Sequence, residues 1–209
     1  MNQFDETLES WNKIAQIYED KFMNLHLYDE SYDLFCDLIR KENPRILELG
    51  CGPGNITKYI YAKRPDLAID AIDFSPNMIK LAKKNCPSAT FEVMDIRLIR
   101  NLKSTYDGII CGFCIPYISK DELKKLIENL VQLITESGIL YLSFVDGDYT
   151  DSGYQIGVEG SRSYFYYHSL VETIKELEKQ SFTIKSLIPL LYEKSNNDKE
   201  VHTVLIAKK

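Results

Sequence analysis

No apolar run in this 209-residue chain approaches the ~20 residues needed to span a bilayer, so a membrane helix is set aside. The N-terminus, MNQFDETLESWNK, is acidic and polar and has no secretory signal pattern. The reading is of a soluble, cytoplasmic protein without a membrane partner. Basic charge is in deficit: 25 Lys and Arg stand against 31 Asp and Glu, giving a net charge of -6 and a pI of about 5.2. A chain without a dominant basic field is not expected to take DNA or RNA. Histidine is scarce, and His26, His168 and His202 are too scattered to suggest a metal site. Cysteine is present in odd number (Cys36, Cys51, Cys86, Cys111, Cys114) and among apolar neighbours, which fits reduced thiols better than a disulfide framework. Cys111 and Cys114 form a C-x-x-C, but it ends a predicted strand and has no second pair and no nearby histidine, which argues against a redox or metal role. Internal repeats, low-complexity segments and interdomain linkers are absent, so residues 1–209 are read as one domain.

Helical spacing of Trp11, Ile14, Ala15 and Tyr18, and of Tyr32, Phe35, Leu38 and Ile39, predicts an N-terminal helical cap over 1–43, closed by Asn43-Pro44. Short apolar runs then alternate with amphipathic stretches. Arg45 to Leu49, Ala68 to Asp73, Thr90 to Val93, Gly108 to Cys111 and Ile139 to Phe144 read as strands; Ile56 to Lys63, Pro76 to Lys84 and Lys120 to Thr135 read as helices, the last stopped by Gly138. That order implies βαβ units around a mostly parallel sheet, with right-handed crossovers placing helices on both faces. Ser75-Pro76 reads as a helix start, and Ser119 to Glu122 and Ser169 to Glu172 as capping boxes. Ser181 to Leu191 and Val201 to Ala207 flank the polar loop 193–200 and predict an antiparallel hairpin, which completes seven strands. The Gly-, Tyr- and Ser-rich stretch 146–168 is too long for a routine connection and reads as an inserted lid or substrate arm.

The strand Arg45 to Leu49 runs into Gly50, Gly52 and Gly54, which place a bend without side chains at the carboxyl edge of the sheet, where open α/β folds bind ligands. Amides at the next helix start offer donors to an anion. Asp73 ends the following strand, near the ~20-residue spacing at which an acid meets ribose hydroxyls. Asp95, ending the third, can accept from an adenine amino group. Glycines, Asp and Asp at successive strand ends point to an adenosine-type ligand. Asn55 stands where a dinucleotide fingerprint needs its last glycine.

In order, ILELGCGPGN, IDAIDFSPNMIKLAKKN, VMDI, YDGIICGFCIPYI and the terminal hairpin resemble the class I S-adenosylmethionine-dependent methyltransferases, and WNKIAQIY resembles the segment preceding the core in the ubiquinone- and menaquinone-type small-molecule members. The resemblance implies an α/β, Rossmann-like doubly wound sheet, mostly parallel with an antiparallel C-terminal strand. It implies S-adenosylmethionine as cofactor and S-adenosylhomocysteine as product. By the same resemblance Glu48, Gly50, Cys51, Gly52 and Asn55 surround the aminocarboxypropyl end, with Glu48 facing its ammonium; Asp73 binds the ribose; Phe74 and Met78 flank the adenine; Asp95 and Ile96 read its edge; Cys111, Phe113 and Tyr18 lie near the sulfur. Two departures are visible. Pro116-Tyr117 replaces a histidine many relatives carry after the fourth strand, and Ser181-Phe182 replaces a common Gly-Phe.

The implied activity is in-line methyl transfer to a small-molecule acceptor, in which the protein aligns the partners and excludes water. Tyr117, Tyr154, Arg162, Tyr166 and His168 are the candidate substrate contacts, with Tyr117 and His168 as weak catalytic candidates. His168 reads equally as a packing residue before the Ser169 cap. In YFYYH, strand alternation would put Tyr164 and Tyr166 on one face and Phe165 and Tyr167 on the other. Two rivals stay open at this point: an NAD-dependent oxidoreductase, and a non-catalytic cofactor-binding protein. A monomer or homodimer is expected.

Overall fold

The computed structural model describes residues 2–194 and 197–209. Of the polar loop 193–200, Ser195 and Asn196 lie outside the described residues, as does Met1 of the cap.

Helices α1 (Gln3–Lys13), α2 (Ala15–Phe22) and α3 (Asp29–Leu38) precede the sheet, with a short 3-10 turn, His26–Tyr28, between the last two. Then follow β1 (Arg45–Leu49), α4 (Asn55–Lys63), β2 (Ala68–Asp73), α5 (Pro76–Asn85), β3 (Thr90–Val93), β4 (Tyr106–Gly112), α6 (Lys120–Leu133) and β5 (Ile134–Val145). A two-stranded hairpin, β6 (Gly153–Ile156) and β7 (Arg162–Phe165), occupies the inserted arm; α7 (Leu170–Lys179), β8 (Thr183–Glu193) and β9 (Lys199–Lys208) complete the chain. The main sheet has seven strands in the order β3-β2-β1-β4-β5-β9-β8. Pairing is parallel from β3 through β5, and β9 is antiparallel to both of its neighbours.

Period-two alternation sorts the strand side chains into two cores. Leu47, Leu49, Ile109, Leu140, Leu142, Leu205 and Ala207 pack with α6 and α7 on one face; Ile46, Ile110, Tyr141, Val204 and Ile206 pack with α3, α4 and α5 on the other. Because central parallel strands are covered on both sides, they read as continuous apolar runs. The expected architecture, helices on both faces included, is the one observed.

Local starts follow their chemistry. Ser75 accepts from the Met78 amide with Pro76 at the first turn, and Ser119 and Glu122 form a reciprocal capping box. Ser169 accepts from the Glu172 amide, but Glu172 turns away to Lys120 at 2.7 Å. One boundary moves: α6 stops at Leu133, not near Gly138, because Ile134 already pairs with Tyr106 and a bulge carries the strand on to Ile139. Among the described residues no helix is long and apolar enough to cross a membrane.

Candidate active site

The bend after β1 is built from backbone. The Cys51 amide bonds the Ile72 carbonyl at 3.0 Å, and the Gly54 amide the Cys51 carbonyl at 3.0 Å. Gly50 has φ +67°, and a Cβ there would stand 2.6 Å from the Cys114 Cβ, so the chain closes on the tip of β4 only without a side chain. Gly52, at φ +54°, faces the Tyr18 ring across the mouth of a cavity.

Asp73 ends β2 beside this bend. Its Oδ2 accepts from the Gly52 amide at 2.9 Å and its Oδ1 from the Ser75 amide at 2.8 Å. Burial pushes its carboxyl up to about 6, against the pull of those two amides. A carboxylate has room for about four hydrogen bonds, so the lone pairs left over are available to a ligand. Asp95 lies just past the end of β3 and caps the 3-10 turn after it; Arg97 forks onto both of its oxygens and reaches Glu122 at 3.0 Å. The Arg97 guanidinium lies 3.6 Å over the Phe4 ring, which in turn sits 5.8 Å from Phe74. Helix α1 thereby reaches the sheet rim and walls the Asp95 end.

A cavity of about 270 Å³ opens between these strand ends and the N-terminal helices. Of the residues the sequence singled out for a cofactor, Gly50, Gly52 and Asn55 line its floor, Asp73, Phe74 and Met78 one side, Asp95 and Ile96 the far end, and Tyr18 and Phe113 the roof and the β4 side. Phe113 is held at φ +54° with its amide bonded to the Ser143 carbonyl and hydroxyl, a conformation that non-glycine residues reach only under constraint. Tyr18 is half-buried, packed against Trp11 and Phe22 at 5.5 and 4.5 Å between rings, and its hydroxyl is pushed well up by desolvation and by the Asp73 charge.

Three expected cofactor residues do not line the cavity. Cys111 points from β4 into the core under α6 and α7, and Cys114, three residues on and past the end of the strand, lines the cavity instead. The Cys51 thiol is turned back toward the Gly52 carbonyl. Glu48 is fully buried beneath the floor, where Thr57 donates to Oε2 and Oε1 has no hydrogen-bond partner among the described residues. Burial holds the Glu48 carboxyl up at about 8.

Of the five residues expected to contact a substrate, one lines the cavity. Tyr117 does line the cavity, edge-on to Trp11 at 5.4 Å and to Phe165 at 6.0 Å. Tyr154, Arg162 and Tyr166 do not, because α1 lies along β7 and draws them to itself, and His168 does not because it packs against the turn after β4. Arg162 pairs with Glu6 at 2.6 Å and covers the Tyr154 ring; Tyr166 meets the Gln3 amide and stacks on Tyr149. His168 is buried, its Nε2 between the Ile115 and Ile118 carbonyls at 2.9 and 3.2 Å, a packing role. The alternation read in YFYYH holds, with rings of Tyr164 and Tyr166 4.7 Å apart and those of Phe165 and Tyr167 5.1 Å apart. Arg162→Ala is therefore expected to leave cofactor uptake in calorimetry unchanged and to shift thermal unfolding slightly, with the shift shrinking in high salt.

A family model described as a methyltransferase domain matches residues 46–138, from β1 through the start of β5. That stretch is similar to a methyltransferase domain. Around it the chain has the fold of the class I S-adenosylmethionine-dependent methyltransferases, the family its motifs resemble. It is 39% identical over 136 residues to a malonyl-[acyl-carrier protein] O-methyltransferase of Bacillus anthracis, a match covering 62% of this chain and 49% of that one. It is 29% identical over 154 residues to a tRNA N(3)-methylcytidine methyltransferase of Schizosaccharomyces pombe, covering 69% and 62% respectively. Among solved structures, a Burkholderia thailandensis 1,6-didemethyltoxoflavin-N1-methyltransferase superposes with a TM-score of 0.74 at 14% identity, over 98% of this chain and 88% of that one. The chain thus spans about half the length of the curated relatives it matches.

The matched region leaves out several residues that shape the cavity. Trp11, Phe22, Tyr28 and Tyr32 come from the cap, and Tyr192, Glu200 and His202 from the terminal hairpin. The cap's helical periodicity marked Trp11 and Tyr32 as inward-facing, but no spacing in the sequence joins residues 28 and 202.

Proposed function

We propose that this cavity binds S-adenosylmethionine and that the chain directs in-line methyl transfer to a small molecule. The observation that carries the reading is Asp73: a buried carboxylate, braced by the Gly52 and Ser75 amides, beside a bend closed only by glycine. The orphaned Glu48 Oε1 under that bend and the aromatic roof of Tyr18 and Trp11 fit the ammonium and sulfonium ends of the same molecule. When bound, the cofactor supplies a methyl group already attached to a cationic leaving group. The protein's share is alignment and dryness: Asp73 fixes the ribose, Phe74, Met78 and Ile96 the adenine, and α1 and α2 shut out water.

A small acceptor is favoured because helices roof the cavity and because none of the described residues lining it is Lys or Arg, as a polynucleotide would require. Calorimetry on the purified chain is expected to detect uptake of S-adenosylmethionine and S-adenosylhomocysteine and none of NAD. Uptake of NAD alone would restore the oxidoreductase reading.

A further inference from the structure

Beyond the cofactor residues, the cavity has a second end formed by the cap and the terminal hairpin. On β9, Glu200 and His202 lie two residues apart and so share a face. His202 Nε2 is 3.1 Å from Glu200 Oε2, and His202 Nδ1 is 2.5 Å from the Tyr28 hydroxyl. Tyr28, Glu200 and His202 all line the cavity. Glu200 is also held by Lys194 at 2.5 Å, and its carboxyl lies below the usual range through the bonds from His202 and Lys194. An ionised carboxylate only accepts, so His202 Nε2 carries a hydrogen; in the neutral imidazole Nδ1 is then the acceptor and the Tyr28 hydroxyl donates to it.

The ring is clamped. Tyr192 from β8 stacks on it at 4.7 Å, Phe113 from β4 packs at 4.6 Å, and the Tyr28 ring lies nearly parallel at 6.1 Å. The titratable groups around His202 are therefore Tyr28, Tyr192 and Glu200, with Lys194 behind Glu200 and Tyr18 and Tyr141 near Tyr28. A tyrosine hydroxyl on the cavity wall, backed by an oriented imidazole and a carboxylate, is an arrangement for removing a proton from something in the cavity.

We infer that Tyr28, His202 and Glu200 form a proton relay that ionises the acceptor, and that the acceptor is a neutral, flat molecule with an acidic, phenol-like hydroxyl. This rests on the cofactor reading above. The aromatic walls favour a flat ring. The acceptor enters neutral, still carrying the proton that the relay removes, and the imidazolium then formed on His202 is the cation that offsets the new oxyanion. In the step, the acceptor O–H breaks and its electron pair stays on oxygen. Tyr28 takes that proton as its own passes to His202 Nδ1, and the imidazolium is balanced by Glu200.

The test uses 4-nitrophenol, whose absorbance reports its ionisation, with the full chain saturated by S-adenosylhomocysteine. The bound phenol is expected to ionise at a proton concentration at least about tenfold higher than in buffer. Tyr28→Phe and His202→Asn are expected to abolish that shift while keeping S-adenosylhomocysteine uptake, and Tyr28→Phe, which retains the ring, guards against a folding artefact. Failure of 4-nitrophenol to bind, binding without ionisation, or an undiminished shift in Tyr28→Phe would overturn the relay. Failure of the unsubstituted chain to take up S-adenosylhomocysteine would instead overturn the cofactor reading.

Discussion

Asp73→Ala is expected to weaken S-adenosylmethionine binding on the order of a hundredfold, measured by calorimetry at neutral pH. Hydrogen bonds to a charged group contribute about 1.5 to 3 kcal/mol each. Losing two from a ribose diol accounts for about 3 kcal/mol or more, and each 1.4 kcal/mol is about tenfold. The substitution also strands the Gly52 and Ser75 amides that now donate to the carboxylate. Asn is no remedy: it offers one oxygen where two amides require one each, and its own N–H₂ would face a donor. Asp73→Asn should thus bind nearly as poorly as Asp73→Ala.

The pH dependence of this binding has a definite sign. With the Asp73 carboxyl raised by burial to about 6, protonation removes the acceptor that the ribose hydroxyls need. Affinity should rise as pH increases from 5 and level off above about 7. Flat affinity through this window, or unchanged binding in Asp73→Ala, would mean that the ribose is held elsewhere.

Strands and their ends were legible because local rules govern them. Arg45–Leu49, Ala68–Asp73 and Thr90–Val93 fall where apolar runs predict, and the residues that follow them reach the cavity because parallel strands put all their carboxyl ends on one rim. The contacts of the arm were not legible, for a reason equally physical. Ser10, Thr7 and Glu6 of α1 bond to Arg162 and Tyr164, more than 150 residues away, and no periodicity within 146–168 carries that information. The same holds for Tyr28 and His202, separated by 174 positions. Their meeting depends on how the cap crosses the last hairpin. Glu48 was legible as an acid before the glycine bend, but not as one buried below it, since strand alternation gives the face and not the depth.

That depth sets the second large effect. Glu48 carries its proton up to about 8 when folded, against 4.5 for the free side chain, because burial disfavours the charge and the Thr57 hydroxyl only partly offsets it. Between those values the folded chain holds a proton that the unfolded chain has released. Stability therefore falls as pH rises, with the carboxyl's contribution intact below about 4.5 and its ionisation in place costing on the order of 5 kcal/mol above about 8. Glu48→Gln keeps an oxygen for Thr57 and cannot ionise. Denaturant titrations of the ligand-free chain from pH 5 to pH 9 should show a decline for Glu48 that the Gln variant lacks, the two curves crossing so that Glu48→Gln is the more stable at pH 9. A cationic ammonium seated above Glu48 Oε1 would favour the charged form, so saturating S-adenosylmethionine should shrink the gap between the variants at high pH. If both variants decline in parallel, the buried carboxyl is not the group that titrates.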